Sequence, residues 1–370
     1  MNAFYLTAVM IGSFLTVIPA GVQAVNQGWR VSYLTLAAFN TLLFVLFLVS
    51  YEETKYTACV EGLSRQTSTN NDDVVPHPKQ DLDKVATNEA AMELATEVTT
   101  SEPLLFTAGE KYVDRTIPMR SKRQRLQWIT PTDESLWRLF YTPALVLIML
   151  PHVIFTGFQW AQGVVWLTLL ATIISIVFSA PPYNMNAAGL GYLGIGPMIG
   201  NLIGSIYSGV LGDRAVVWLA KRNKGYFEPE FRLYTLIPSI IAQAVGLVLF
   251  GYFIQRGAHW VYPSIGGLLF GFGLGSISDA SLTMVIDCYI ELTGPSFVAI
   301  TFIRNAVSIA LPFSVTPWMT AMNLQNMFIL SGVISFVVSS TAGLLVVFGE
   351  RIRMRLAPRY YTLVERQARL

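Results

Sequence analysis

Charge is scarce in this sequence. Only 13% of the 370 residues are Asp, Glu, Lys or Arg, against about a quarter in soluble domains. The deficit is uneven, and long stretches carry almost no charge, which excludes an ordinary water-soluble domain. Cysteine is scarcer still. Cys59 and Cys288 give no disulfide framework and no metal-ligand spacing, and such a pair reads as inert filler. The net charge of +2 is too small to point to a nucleic-acid partner. No His-rich box, Ser/His/Asp set, phosphate loop or Cys/His ligand cluster stands in the chain. An enzyme is therefore disfavoured, and neither cofactor nor metal is expected.

What is present is apolar chain in long runs. Hydrophobic residues make up 53%, and the mean hydropathy is +0.50. Runs of about 18 apolar residues or more read as membrane-crossing helices. Such runs stand at 3–24, 32–50, 188–211, 234–254, 263–286, 297–320 and 326–348. The first is not read as a signal peptide. No basic residue precedes its apolar core, and a second span follows a short turn at Asn26-Gln27-Gly28-Trp29-Arg30. Residues 139–180 hold Pro143, Pro151, Gln159 and Gln162, and are long enough for one span or two short ones.

The distribution of Lys and Arg decides between these. Basic residues collect in cytoplasmic loops. With one span at 151–178, eleven of the 25 Lys and Arg fall in 51–140, five in 212–233 and six in 349–370. All three segments then lie on one side, and only Arg30, Arg256 and Arg304 remain elsewhere. A second span would separate the basic loops. The reading is an all-α integral membrane protein of eight spans, with residue 1, loop 51–140 and the C-terminus inside. Residues 141–150 form a bent or interfacial lead-in to the third span.

Within that frame, Pro181 to Leu233 organises the rest. Gly189, Gly191, Gly194, Gly196, Gly200, Gly204, Gly209 and Gly212 stud an apolar helix. The composition flips at Asp213-Arg214, where the helix is expected to stop, and Lys221, Arg222 and Lys224 follow in a basic loop. Gly196, Gly200 and Gly204 make a small-residue row that permits close helix approach, for static packing or for a moving interface. Residues 51–140 differ in kind, with 15 acidic and 11 basic residues and no aromatic between Tyr56 and Phe106. Such chain cannot bury enough to fold, so disorder is expected.

Polar groups inside spans are costly and are usually kept for a reason. Asp279 is the deepest carboxyl and the candidate proton or cation site. Its alternative is a carboxyl bonded to Ser276 or Ser278. Asp287 lies eight residues on, roughly on the same face, and Arg304-Asn305 enters the next span. An Asp287–Arg304 pair across the hairpin is expected, structural or gating in role. Gln159, Gln162 and Trp166 share a helix face beside Trp160. That face suits either a cavity for amide and cation–π contacts or interhelical hydrogen bonding. Tyr183 and Asn184 fall at the outer mouth, as candidates for an extracellular gate. His152, near the cytoplasmic interface, reads as solvated.

Several stretches together resemble one family. They are Gly28-Trp29-Arg30, Glu52-Glu53-Thr54-Lys55-Tyr56, Pro181-Pro182-Tyr183-Asn184, and Gly212-Asp213-Arg214 with Arg222-Asn223 and Pro229-Glu230-x-Arg232-Leu233. Asp287-x-Tyr289 and Phe302-x-Arg304-Asn305 complete the set. The chain is similar to major facilitator superfamily transporters, and most to the fungal drug:proton antiporter-1 branch with its polyamine and organic-cation transporters. The resemblance implies transport of a small organic solute of the drug or organic-cation class, driven by protons, by alternating access in the lipid bilayer. It implies a plasma-membrane location and an intracellular gate at Asp213 and Arg214. It assigns 1–50 to the last two helices of an N-terminal bundle, 51–140 to a central cytoplasmic loop, 141–348 to a complete six-helix C-terminal bundle and 349–370 to a basic tail. On that alignment four further spans are expected before Met1. The alternative reading is a shortened, non-transporting relative. Oligomeric state is left open.

Overall fold

The computed structural model of the chain describes residues 12, 14–50 and 136–368. The expected disorder of 51–140 thus falls, except for its last residues, outside the described residues, as does the start of the 3–24 span. The chain divides into two units, Met1–Leu42 with Thr132–Leu370, and Leu43–Pro131. Of the second unit only the helical residues up to Ser50 are described. The helical bundle belongs to the first.

Every element described is helical. In chain order they are α1 (Val17–Asn26), α2 (Trp29–Ser50), α3 (Leu136–Met149), α4 (Pro151–Val177), α5 (Ala187–Leu193), α6 (Ile195–Ile206), a π-turn at Tyr207–Leu211, α7 (Gly212–Arg222), α8 (Phe231–Tyr234), α9 (Leu236–Gln255), α10 (Val261–Cys288), a 3-10 turn at Ile290–Leu292, α11 (Thr293–Ala321), α12 (Leu324–Ser340) and α13 (Ala342–Ala368). Among the described residues, seven segments are long and apolar enough to cross a membrane. They coincide with seven of the eight expected spans. A bilayer offers backbone groups no water, so a helix, which satisfies them internally, is the form such runs take.

Local chemistry sets the boundaries. Leu150 is extended (φ −113, ψ 98), and Pro151 occupies the first turn of α4, where its missing N–H costs nothing. The break makes α3 the separate lead-in to the third span. Asn186 caps α5 by accepting from the Gly189 amide at 2.9 Å, satisfying one of the free first-turn donors.

One expectation is corrected at the end of the glycine-rich segment. The helix does not stop at Gly212-Asp213-Arg214. It passes through the π-turn and continues as α7 to Arg222, because nothing at Gly212 forces a reversal and Asp213 is favoured in a first turn. The chain reverses later, where Lys224 and Gly225 take positive φ.

Helix α10 is the central element, with most of its length buried. It packs between α6 and α9, while α9 also packs on α12 and α4 on α11. The glycine row explains the closeness of α6. A Cβ at Gly196, Gly200 or Gly204 would strike the carbonyls of Ser264, Leu268 and Phe272 in turn. These three carbonyls are themselves four residues apart on α10, so the row is seated along one face of its neighbour. Lipid tails are as apolar as Leu, and such van der Waals fit and hydrogen bonding hold membrane helices together. The same device joins α1 to α5, where a Cβ at Gly21 would meet the Ala187 carbonyl.

Two apolar clusters fill the bundle. One, at the end that holds Asp213, includes Leu150, Leu233, Met284, Tyr289, Leu345 and Leu363. The other, towards Tyr183, includes Phe178, Leu193, Phe250, Phe270 and Phe328.

Candidate functional site

The middle of α10 carries the deepest carboxyl. Asp279 is 3% exposed. Its Oδ1 has no hydrogen-bond partner, and the hydroxyl facing the carboxyl is Ser208. Ser208 sits inside the π-turn, a local widening often found at functional positions. Neither hydroxyl expected beside Asp279 serves it. The Ser276 hydroxyl donates to the carbonyls of Gly204 and Phe272 at 3.1 and 2.8 Å, and the Ser278 carbonyl accepts from Trp160 Nε1 at 3.2 Å. Asn201, about two helical turns before Ser208, is also buried with an unpartnered Nδ2. A buried carboxylate oxygen without a donor is expensive, so this position suits a proton or a cationic group.

The polar face of α4 resolves into two parts. Gln162 Nε2 donates to Gln159 Oε1 at 2.7 Å and to Ser339 Oγ at 2.6 Å, and Gln159 Nε2 donates to the Val338 carbonyl at 3.0 Å. Both glutamines are buried, and together they knot α4 to α12, the hydrogen-bonding alternative of the two that the sequence leaves open. Trp166 is buried in the apolar cluster and borders a groove of about 600 Å³ between α4 and α11. Trp160 alone turns to α10 and α11, with Arg304 5.2 Å from its ring centre.

The expected Asp287–Arg304 pair is not formed. Arg304 lies over Trp160 and donates to the Oδ1 of its neighbour Asn305 at 3.2 and 3.3 Å. Asp287 Oδ2 instead accepts from Arg232 Nε at 2.7 Å, and Arg232 Nη1 reaches Asp213 Oδ1 at 2.8 Å. Arg232 occurs one short helix before α9, so its guanidinium reaches both acids, whereas Arg304 is already three turns into α11. Arg214 is an exposed residue of α7, and the acid-base partner of Asp213 is Arg232.

Two residues earlier the same segment makes a second junction. Glu230 is 3% exposed and is held by Arg353 of α13 through two bonds of 2.7 Å. Its Oε1 lies 3.6 Å from His152 Nε2, and His152 Nδ1 is 3.0 Å from the Tyr289 hydroxyl. His152 is wholly buried, not solvated as expected: it is enclosed between Tyr289 and the Glu230–Arg353 pair. Burial would raise the Glu230 pKa, but the approach of His152 and the bidentate guanidinium outweigh it, and the carboxyl sits below its ordinary range. Between the two polar residues Phe231 and on the far side Leu233 are buried. The five residues from Pro229 to Leu233 thus alternate between charge and core, tying α4, α7, α10 and α13 together. The motif is visible in the sequence, but the partners of Glu230 and Arg232 are not. Arg353 is indistinguishable there among the basic residues of the tail.

At the opposite end Tyr183 donates to the Ala258 carbonyl at 2.7 Å and stacks on Phe178 with ring centres 4.4 Å apart. Asn184 takes positive φ (47°). Both line a cavity of about 800 Å³ with Tyr192, Trp260 and Ser264.

The model of the Major Facilitator Superfamily matches residues 1–312. The chain belongs to the Major Facilitator Superfamily. Among curated members, an uncharacterized MFS-type transporter of Schizosaccharomyces pombe is 28% identical, over 99% of this chain and 65% of its own length. Protein HOL1 of Saccharomyces cerevisiae is 26% identical over 95% of this chain and 64% of its length. The MFS-type transporter atr4 of Stereocaulon alpinum is 30% identical over 60% of this chain and 40% of its length. The chain therefore spans just under two thirds of the first two relatives. No solved structure matches it. Its superfamily relatives are named transporters rather than enzymes, and the chain is a multi-pass membrane protein.

Proposed function

We propose that the chain serves proton-coupled transport of a small organic solute of the drug or organic-cation class, by alternating access. Membership of the superfamily supports the transport reading. The observation that carries the coupling is Asp279, a buried carboxyl on the central helix with one oxygen unpartnered. Protonated, it is neutral and tolerates burial; ionised, it attracts a proton or a cationic solute. Trp160, exposed in part beside Arg304, offers a ring face at the same depth. Asp213, Arg232 and Asp287 form the gate at the end that carries Lys221, Arg222 and the arginines of α13, and that positive charge supports a cytoplasmic side. Tyr183 and Asn184 border the opposite mouth. The plasma membrane is the proposed location.

The test is Asp279→Asn in the protein expressed in fungal cells. Solute flux driven by an imposed proton gradient should be abolished, with surface amount unchanged. Normal gradient-driven flux in that variant overturns the coupling role. No flux by the unaltered chain, folded and at the surface, favours the second reading, a non-transporting relative. Tags placed in 65–100 and after Leu370 should resist impermeant reagents in intact cells.

A further inference from the structure

The two faces of α13 meet different surroundings. One face is docked on the bundle: Leu345 and Leu363 are buried, Arg353 grips Glu230, and Tyr360 donates to Glu291 Oε2 at 3.0 Å. The other face is open. It begins with Leu344, Val347 and Phe348, exposed at 61%, 66% and 46%, and continues with Arg351, Arg355 and Arg359, all exposed. Steps of three and four residues keep these side chains on one stripe of the helix.

The stripe changes character without a break in the helix. Leu344, Val347 and Phe348 belong to a segment apolar enough to cross a membrane, and their exposed side chains have acyl chains as their natural surroundings. Arg351 follows Phe348 by three residues, about 4.5 Å of helix. The guanidinium row therefore starts where hydrocarbon gives way to phosphate, and long basic side chains bring their charge to that level. Among the described residues, none of the three arginines has an ion-pair partner. Met354, apolar, and Tyr361, amphipathic, are both exposed beside the row, as suits an interface.

We propose that Arg351, Arg355 and Arg359 form a docking ridge for the head groups of anionic membrane phospholipids. A guanidinium fork matches phosphate oxygens in pairs, and each basic residue near an anionic surface adds attraction. A zwitterionic lipid offers the same phosphate with its own ammonium beside it, so the ridge discriminates by net charge. Lipid on this face presses α13 onto the bundle, and its inner face carries the Arg353–Glu230 junction.

The test reconstitutes the full chain in phosphatidylcholine bilayers. Spin-labelled phosphatidylserine and spin-labelled phosphatidylcholine are compared for association with the protein. The unaltered chain should prefer phosphatidylserine. R355Q should lower that preference by up to about fivefold, and R351Q/R355Q/R359Q should remove most of it. R351K/R355K/R359K should retain most of it, which separates charge from loss of fold. Full preference in both the single and the triple glutamine variants overturns the proposal. So does abolition of the preference by millimolar inorganic phosphate at matched ionic strength, which assigns the ridge to a soluble anion.

Discussion

At the Asp213 end of the bundle, side chains of opposite charge meet at 2.7–2.8 Å in two adjoining junctions, Arg232 with Asp213 and Asp287, and Arg353 with Glu230. At the Tyr183 end, among the described residues, no ion pair is found. There a tyrosine hydroxyl on a backbone carbonyl ties the α4–α5 loop to the α9–α10 loop, beside stacked rings and an apolar cavity of about 800 Å³. Charge-assisted bonds between specific partners are short and directional, so they fix the geometry of an end. Stacked rings and apolar walls slide and adapt. The bundle thus has one end tied by paired charges and one joined by apolar contact.

The largest effect is expected from Glu230→Ala. It leaves Arg353 without its acid and His152 facing a void, and loss of one partner of a buried pair costs about 3 kcal/mol or more. The thermal midpoint of the detergent-solubilised protein should fall by several degrees, and α13 should become sensitive to protease. An unchanged midpoint would remove the tie from this end. The same residue sets a pH dependence. Its carboxyl is held below the ordinary range, so its stabilisation is full above the unfolded value near 4.3 and is lost as pH falls through the folded value. Acidification below about pH 4 should therefore lower the midpoint of the native protein, and Glu230→Gln should flatten that part of the profile.

Arg232→Gln should come next. It strips Asp287 and Asp213 of a shared guanidinium, at a cost of about 1–3 kcal/mol. Arg304→Gln should cost less, since Arg304 contacts only a ring and its own neighbour. A larger loss at Arg304 would restore the pairing that the sequence suggested. Tyr183→Phe should be smallest, about 1 kcal/mol for one hydrogen bond, with the ring stacking kept. An effect there as large as that of Glu230→Ala would erase the contrast between the ends.

How much of this was legible depends on range. The seven described spans follow from runs of apolar residues, because a bilayer admits little but helix for such chain. The separate lead-in helix was legible from Pro151, and close packing of α6 from its glycine row. The partner of that row was not, since spacing within one helix says nothing about the neighbour's carbonyls. Gln159 and Gln162 were correctly seen to share a face, but whether a shared polar face meets a cavity or another helix depends on what stands opposite. Here Ser339 and the Val338 carbonyl stand there, some 180 residues along the chain.

The charged residues show the division most clearly. The sequence by itself determined that the protein is a helical membrane bundle and that its charges gather beside particular spans. Both are properties of a chain in a low-dielectric slab, where hydropathy and the cost of a buried charge act residue by residue. Only the tertiary structure decided that Asp287 takes Arg232, that Arg353 turns inward to Glu230, and that His152 is buried beside that pair. Those choices turn on which guanidinium arrives within 3 Å of which carboxylate, and that distance is set by how α10, α8 and α13 pack.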